Sequence, residues 1–401
     1  MGVLLMKIKT AVAAVLLVAG SMVCGVAVGE WAVPVNQWEL NTPYTEMSPA
    51  LSAWGDSIFL GSARPGGSGG IDVWSAGWTG AAWSDPVNLG AQFNSNDLDA
   101  VSCVSPGGGL VYLSSSRAEA LGGRDVFSSI RSGGEWGTPV SYGPGINTEY
   151  EDAAPCATAN GRVMYIASER PGTYGGSDIW RTERTPWGWT NPENVYQLNS
   201  AWDERHPCIS FDGTQIIFTS TRPGTMGGQD LWSSYWNGSD WSEPVNLGAP
   251  VNTTADDNCA TRTLRGRTMA LASNRVGGMG DQDIYMTEWH PPISVTLSPD
   301  TTTIVRGDTL RWSLTLTNNT GQNRQFESWK VVIGKKLEYV AQTCDTFALG
   351  PGETLEVFEE AKVPLAKGFY IVANKVGTYP WISSGMDLFI LRVENPTVAG
   401  R

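Results

Sequence analysis

From residue 30 onward the chain is written in short bursts of alternating character. Across residues 199–247, "DERHPCISF" runs from polar to apolar, "TQIIFTSTR" and "QDLWSSYW" alternate, and "WSEPVNLG" closes the stretch. Alternation at every second residue, in runs of about five to eight rich in β-branched and aromatic types, predicts four strands. Asp212-Gly213 supplies a tight turn between the first two, and Asn237-Gly238 begins the turn between the third and fourth. No long helical period appears after residue 30.

The same pattern returns. A glycine-rich phrase, as in "SERPGTYGGSDIW" at 168–180 and "STRPGTMGGQDLW" at 220–232, occurs five times. Its arginines are Arg64, Arg117, Arg170, Arg222 and Arg275, and its aspartates are Asp72, Asp125, Asp178, Asp230 and Asp283. A further acid opens the first strand of each copy: Glu46, Asp99, Asp152, Glu204 and Asp257. All three series step by 53, 53, 52 and 53 residues. A four-stranded meander of about 50 residues repeated in this way predicts a β-propeller, here of five blades over 30–290. A W-x-x-P phrase follows each of the first four copies, at Trp83, Trp136, Trp189 and Trp241, but the fifth stands before the first copy, at Trp31. The N-terminal strand is therefore expected to complete the last blade and close the ring.

Residues 293–395 lose the repeat. "ISVTLSP", "DTLRWSLTLTN", "KVVIG", "FALGPGETLEVFEEAKVP" and "FYIVANKVG" read as strands, and the pattern predicts an immunoglobulin- or fibronectin-like sandwich, followed by a tail at 396–401. It carries no cluster of reactive residues, so a spacer or docking role is the default. The first 29 residues carry Lys7 and Lys9 and then a long uncharged run. They read as a secretory signal, with Ala27-Val28-Gly29 as its cleavage site, or as an uncleaved anchor. Cys24 suggests a lipoprotein, but Val23 is poor just before a lipidated cysteine. Either way the bulk of the chain is expected to be secreted, periplasmic or on the cell surface, with membrane contact only through that segment.

The formal net charge is −13, and losing residues 1–29 removes two lysines and no acids, leaving −15. That disfavours nucleic acid as a partner. The glycines are followed by no helix and no G-K-[ST], so they are not a phosphate loop.

The wording "S-x-R-P-G-x-x-G-G-x-D-[IL]-W", then "W-S-E-P-V-N-L-G-x-x-[IV]-N-[ST]", then an acid before "P", resembles the WD40-like PD40 repeats. Such repeats occur in TolB-like propellers and, in OmpA-associated envelope proteins, beside peptidoglycan-binding domains. The resemblance spans roughly residues 30–290 and implies an interaction propeller of the bacterial envelope or surface. Two departures stand out: TolB looks six-bladed, whereas five copies are present here, and a sandwich replaces the peptidoglycan-binding domain.

The charged triads have two readings. A ring of acids around a channel would be a metal or sugar site. Five equal copies favour structure instead, with each arginine, Arg170 for instance, bridging the acids of strands one and three, Asp152 and Asp178. No cofactor or metal is called for, and no C-x-x-C pair suggests zinc. Cys103, Cys156 and Cys208 each stand four residues after the strand-one acid, and Cys259 stands two residues early, which alternation would place on the same strand face. Apolar packing between blades is favoured for them over disulfides. Cys344 is alone.

Binding is expected where the repeat breaks. Tyr44, Asp97, Tyr150, Trp202 and Ala255 hold one non-repeated position, and Arg205 and His206 occur in one copy only. Aromatic rings beside carboxylates suit a glycan or an extended peptide; the alternative is that they cap blade interfaces. The favoured function is a non-catalytic scaffold for a protein, peptide or glycan. The alternative is a glycoside hydrolase or lectin-type propeller using acids at the channel mouth, with Asp97, near Asp99, the first acid to consider. Acids paired with arginine make poor general acids.

Overall fold

The computed structural model describes residues 30–333, 339–363, 368–378 and 382–394. The expected signal or anchor, Cys24 and the tail lie outside the described residues, and so does the side chain of Cys344. The described chain is all-β, with one 3-10 turn at Gly143–Gly145 and no α-helix. It forms two compact units, one of them Trp31–His290.

Trp31–His290 contains five sheets, one per repeat. Sheet 1 orders Glu46–Leu51, Ser57–Ser62, Asp72–Gly77 and Val87–Asn88 as an antiparallel meander. Sheet 2 begins at Asp99–Val104, sheet 3 at Asp152–Ala157, sheet 4 at Glu204–Ile209 and sheet 5 at Asp257–Arg262. In sheet 5 the outer pairing to Asp283–His290 comes from Glu30–Trp31 and Val35–Asn36. The N-terminal segment thus supplies the strand that the last repeat lacks.

The fourth strands are shorter than the sequence pattern suggests. Val87–Asn88 and Val245–Asn246 are two-residue pairings, preceded by single bridges between Trp78 and Trp83 and between Trp236 and Trp241. Pro86 and Pro244 stand between bridge and pair. Proline has no N–H to give the ladder, so pairing is interrupted there and survives only at an edge.

The first strands of successive sheets lie side by side, and Asp257–Arg262 of sheet 5 lies against Glu46–Leu51 of sheet 1. Each junction has its own apolar core. Ile58 and Leu60 pack with Ala270, Ala272 and Ile284 between sheets 1 and 5, while Ile216 and Phe218 pack with Ile179 and Tyr165 between sheets 4 and 3. Every first strand is bulged, and in four of them the bulge holds a positive-φ residue: Ser48, Ala154, His206 and Cys259. Left-handed backbone is costly without glycine, so the neighbouring pairings must hold it. For Ala154 and Cys259 the residue's own N–H is taken by a hydroxyl of the preceding sheet, Ser114 Oγ and Thr219 Oγ1.

In the second unit, Ile293–Pro299, Thr309–Asn318 and Thr354–Lys362 form one antiparallel sheet. A second sheet orders Thr303–Val305, Ile382–Glu394, Gly368–Thr378, Arg324–Ile333 and Tyr339–Leu349. Val295, Leu314 and Leu316 of the first sheet share one core with Phe326, Val376 and Leu391 of the second. Along Thr309–Asn318 the buried positions alternate, as expected of strands with one face on a core.

Candidate functional site

The repeated charges are consumed inside the fold. Glu46, Asp99, Asp152, Glu204 and Asp257 are fully buried. In sheet 3, Asp152 accepts from the Thr148 N–H at 2.6 Å, from Thr148 Oγ1 at 2.7 Å, from Ser168 Oγ at 2.5 Å and from Arg170 Nη2. Arg170 also donates from Nε to Ser168 Oγ at 2.8 Å and from Nη2 to the Ile146 carbonyl at 2.6 Å. Its guanidinium stacks 5.3 Å from the Trp180 ring centroid. The other sheets repeat the clasp as Arg64–Glu46, Arg117–Asp99, Arg222–Glu204 and Arg275–Asp257.

The expected bridge from one arginine to two acids is not formed. Asp178 accepts instead from the N–H groups of Tyr174 and Gly175 and from Asn194 Nδ2 at 2.6 Å. The glycine turn folds its own N–H groups onto that carboxylate, and the arginine turns toward the acid of strand one and the ring of strand three. Asp72, Asp230 and Asp283 are held likewise, by Asn88, Asn246 and Asn36. Sheet 2 has Ser141 at that position, paired to Phe127, and among the described residues Asp125 receives the N–H groups of Leu121 and Gly122 without an amide partner. Burial holds its carboxyl above the usual range and the Asp152 charge adds to this, while those two N–H bonds pull the other way.

The glycines serve the junctions between sheets. A Cβ on Gly122, Gly175, Gly227 or Gly280 would lie 1.7–2.0 Å from the carbonyl oxygen of Tyr150, Trp202, Ala255 or Tyr44. The first glycine of each G-G or G-D pair therefore seats the loop of the next sheet. The repeated asparagine does related work. Asn147 takes the Val126 N–H with Oδ1 and gives Nδ2 to the Val126 carbonyl, and Asn41, Asn94, Asn199 and Asn252 act alike. Each amide stands in for one residue of a pairing strand.

Among the described residues Cys103, Cys156, Cys208 and Cys259 are free thiols. Cys103, Cys156 and Cys208 pair opposite strand two at one register, but Cys259 occupies the bulge and faces Ser48 instead. The bulge breaks the two-residue alternation that would have kept all four on one face.

A group of non-repeated charges gathers around Arg205. Arg205 Nη2 lies 3.0 Å from Glu169 Oε1 and 3.8 Å from Asp203 Oδ2, and its Nη1 lies 3.9 Å from Glu151 Oε1. Glu151 also pairs with Arg124. Arg205 Nε and His206 Nδ1 are sealed from solvent without a hydrogen-bond partner. Burial draws His206 down to about 3, with Arg124 and Arg205 adding to it, so its ring is neutral at ordinary pH. Tyr150 and Trp202, exposed by 40% and 47%, precede Glu151 and Asp203 in sequence. Tyr44 is similarly exposed but belongs to the loop against sheet 5.

Of the residues singled out in the sequence, Arg205 and His206 thus belong to one cluster, and Tyr150 and Trp202 adjoin two of its carboxylates along the chain. Asp97 is exposed in the junction of sheets 1 and 2, and its neighbour Asp99 is occupied by Ser95, Ser115 and Arg117. Arg124, Glu151, Glu169 and Asp203 were not legible as a site. Their signal is charge at positions held in other copies by Ile71, Leu98, Ser116 or Thr45.

No family model and no curated protein matches the chain. Among solved structures, the chain is similar to the CARDB domain of the PF1109 protein from Pyrococcus furiosus, at 15% identity over 26% of this chain and 93% of that one, with a TM-score of 0.22. It is also similar to the C-terminal domain of wzt, at 8% identity over 26% of this chain and 75% of that one, with a TM-score of 0.23. A beta-glucosidase from Listeria innocua matches at 17% identity over 26% of this chain and 16% of that one, with a TM-score of 0.21. Likeness at this level bears on the function of neither unit.

Proposed function

We propose that Trp31–His290 is a five-bladed propeller of the PD40 kind, followed by an immunoglobulin-like domain, and that the protein is a non-catalytic extracytoplasmic scaffold of the bacterial envelope or surface. Its ligand is a glycan or an extended polar peptide, held at Arg205 and His206 between Tyr150 and Trp202. The propeller reading is supported by the cyclic contacts of the five first strands and by the N-terminal strand added to sheet 5. The resemblance of the repeat wording supports an extracytoplasmic setting.

One observation carries the binding reading: Arg205 touches three carboxylates yet keeps a buried Nε without a partner, beside a His206 Nδ1 in the same state. Unspent buried polar atoms cost stability and suit a ligand that completes them. A surface mixing carboxylates and guanidinium suits hydroxyl or amide groups, which both donate and accept, and the rings offer stacking faces. Hydrolysis is less well supported, because the strand-one acids are charge-paired and saturated.

A glycan, peptidoglycan-fragment and peptide array on the purified protein tests this, followed by calorimetry on the best hit. Trp202→Ala and Arg205→Ala are expected to weaken binding by about 1–3 kcal/mol each, with near-UV circular dichroism unchanged. Normal binding by both folded variants refutes the site.

A further inference from the structure

At the other end of the first strands lies a chemically distinct group. Cys103, Cys156 and Cys208 come from sheets 2, 3 and 4 at the same register, opposite Tyr112, Tyr165 and Ile217. Their sulfurs form a relay. Cys103 Sγ reaches the Ala157 carbonyl, next to Cys156, at 3.9 Å, and Cys156 Sγ accepts the N–H of Ile209, next to Cys208, at 3.4 Å. Cys156 lies near enough to both other thiols for each to act on it.

Sheet 5 contributes a cation to this group. Arg262 lies beside Cys208 and gives Nη1 to Gln215 Oε1 at 2.6 Å. Its Nε and Nη2 are buried and have no hydrogen-bond partner. A guanidinium next to a thiol favours the thiolate, the form that reacts. The hydrogen bond from Cys156 draws Cys208 down to about 6 against its burial, and Arg262 adds to it. Cys156 is raised in turn, by Cys103 first, then by Cys208 and by burial. Burial pushes Cys259 up to about 11, against Ser48 and the Arg124 charge, which pull it down.

We propose that Cys208 and Cys156 are an oxidisable pair that closes a disulfide between sheets 4 and 3, with Cys208 the sulfur that reacts first and a small hydroperoxide the oxidant. The Cys208 thiolate attacks one peroxide oxygen, the O–O bond breaks, and hydroxide leaves as Cys208 becomes the sulfenic acid. Cys156 then attacks the Cys208 sulfur, the S–S bond forms, the S–O bond breaks, and hydroxide leaves with the Cys156 proton as water. In sum two thiols and one hydrogen peroxide give one disulfide and two waters. A small oxidant matters because both sulfurs are buried. Cys103 is the more exposed flank of the relay.

The test treats the full chain with hydrogen peroxide, unfolds it, caps remaining thiols with N-ethylmaleimide and maps the peptides by mass. The expected product joins the Cys156 and Cys208 peptides and leaves Cys259 capped. Cys103→Ser is expected to retain the link and Arg262→Gln to slow it about tenfold. Near-UV circular dichroism verifies that each variant is folded. Linkage of Cys156 to Cys103, or recovery of Cys156 and Cys208 both capped from folded wild-type protein, overturns the proposal. An unchanged rate in folded Arg262→Gln overturns the assignment of Cys208 as the reacting sulfur. The wild-type map decides the pairing even if a variant fails to fold.

Discussion

Replacing Arg170 by alanine should be among the most damaging single changes in the repeat unit. Asp152 is fully buried and Arg170 is 7% exposed. The substitution leaves the carboxylate with Thr148 and Ser168 as donors, all neutral, and removes its only counter-charge in the clasp. Breaking a buried pair by removing one partner costs about 3–5 kcal/mol. The lost stacking on Trp180 and the orphaned Ile146 carbonyl act in the same direction. For a unit of this size each kcal/mol lowers the melting temperature by about 2–4 °C, so a fall of about 6–20 °C is expected. Arg170→Lys keeps the charge but cannot reproduce the fork to Ser168, Asp152 and Ile146, and should recover about half. Arg124→Ala is the control. Its pair with Glu151 has side chains exposed by 23% and 27% and should be worth about 0–1 kcal/mol. Thermal unfolding followed by near-UV circular dichroism measures all three. If Arg170→Ala melts within about 2 °C of wild type, or no lower than Arg124→Ala, the clasp is not what holds the junction.

Ser141→Asn should give Asp125 the amide partner that Asp72, Asp178, Asp230 and Asp283 already have, adding about 0.5–1.5 kcal/mol. Because the Asp125 carboxyl is raised in the fold, its contribution is most favourable below the ordinary carboxylate range, about 4, and is lost as pH rises through the raised value. The gain from Ser141→Asn should therefore be larger at pH 7 than at pH 4, which paired melts at the two pH values check. Gly175→Ala should cost at least about 2 kcal/mol, since its Cβ would meet the Trp202 carbonyl oxygen at 1.9 Å, whereas Gly107→Ala, with nothing within 4 Å, should be near neutral in the same melt. Deleting residues 30–41 should leave the edge of Asp283–His290 unpaired and cause self-association visible by light scattering.

The strands and their grouping were legible because alternation and a fixed repeat are properties of local sequence. The partners of long side chains were not. Arg170 and Asp178 share a phrase, yet the turn between them spends its own N–H groups on the aspartate, and the arginine finds Asp152 instead. Asn147 looks like a turn residue, but its amide completes a pairing with Val126, 21 positions earlier. Alternation alone puts Cys259 on the face of Cys208, and the bulge between Asn258 and Thr261 shifts it. The candidate site was half visible. Arg205 and His206 stood out as singular, while Glu151, Glu169, Asp203 and Arg124 lie in separate connecting segments that only the tertiary fold brings together.

The pairing of the two ends of Trp31–His290 also sets an order in time. Asn36 bonds to Asp283, 247 positions away, and Asn41 to Ile284, 243 positions away. A chain made from its N-terminus exposes both asparagines, and the strand beside them, long before their partners exist. Four sheets can pair from neighbouring residues as they emerge, but the junction of sheets 5 and 1 must wait for the last repeat. Contacts of such separation close slowly and leave an edge open meanwhile. Within Trp31–His290, the segment synthesised first is the last to find its place.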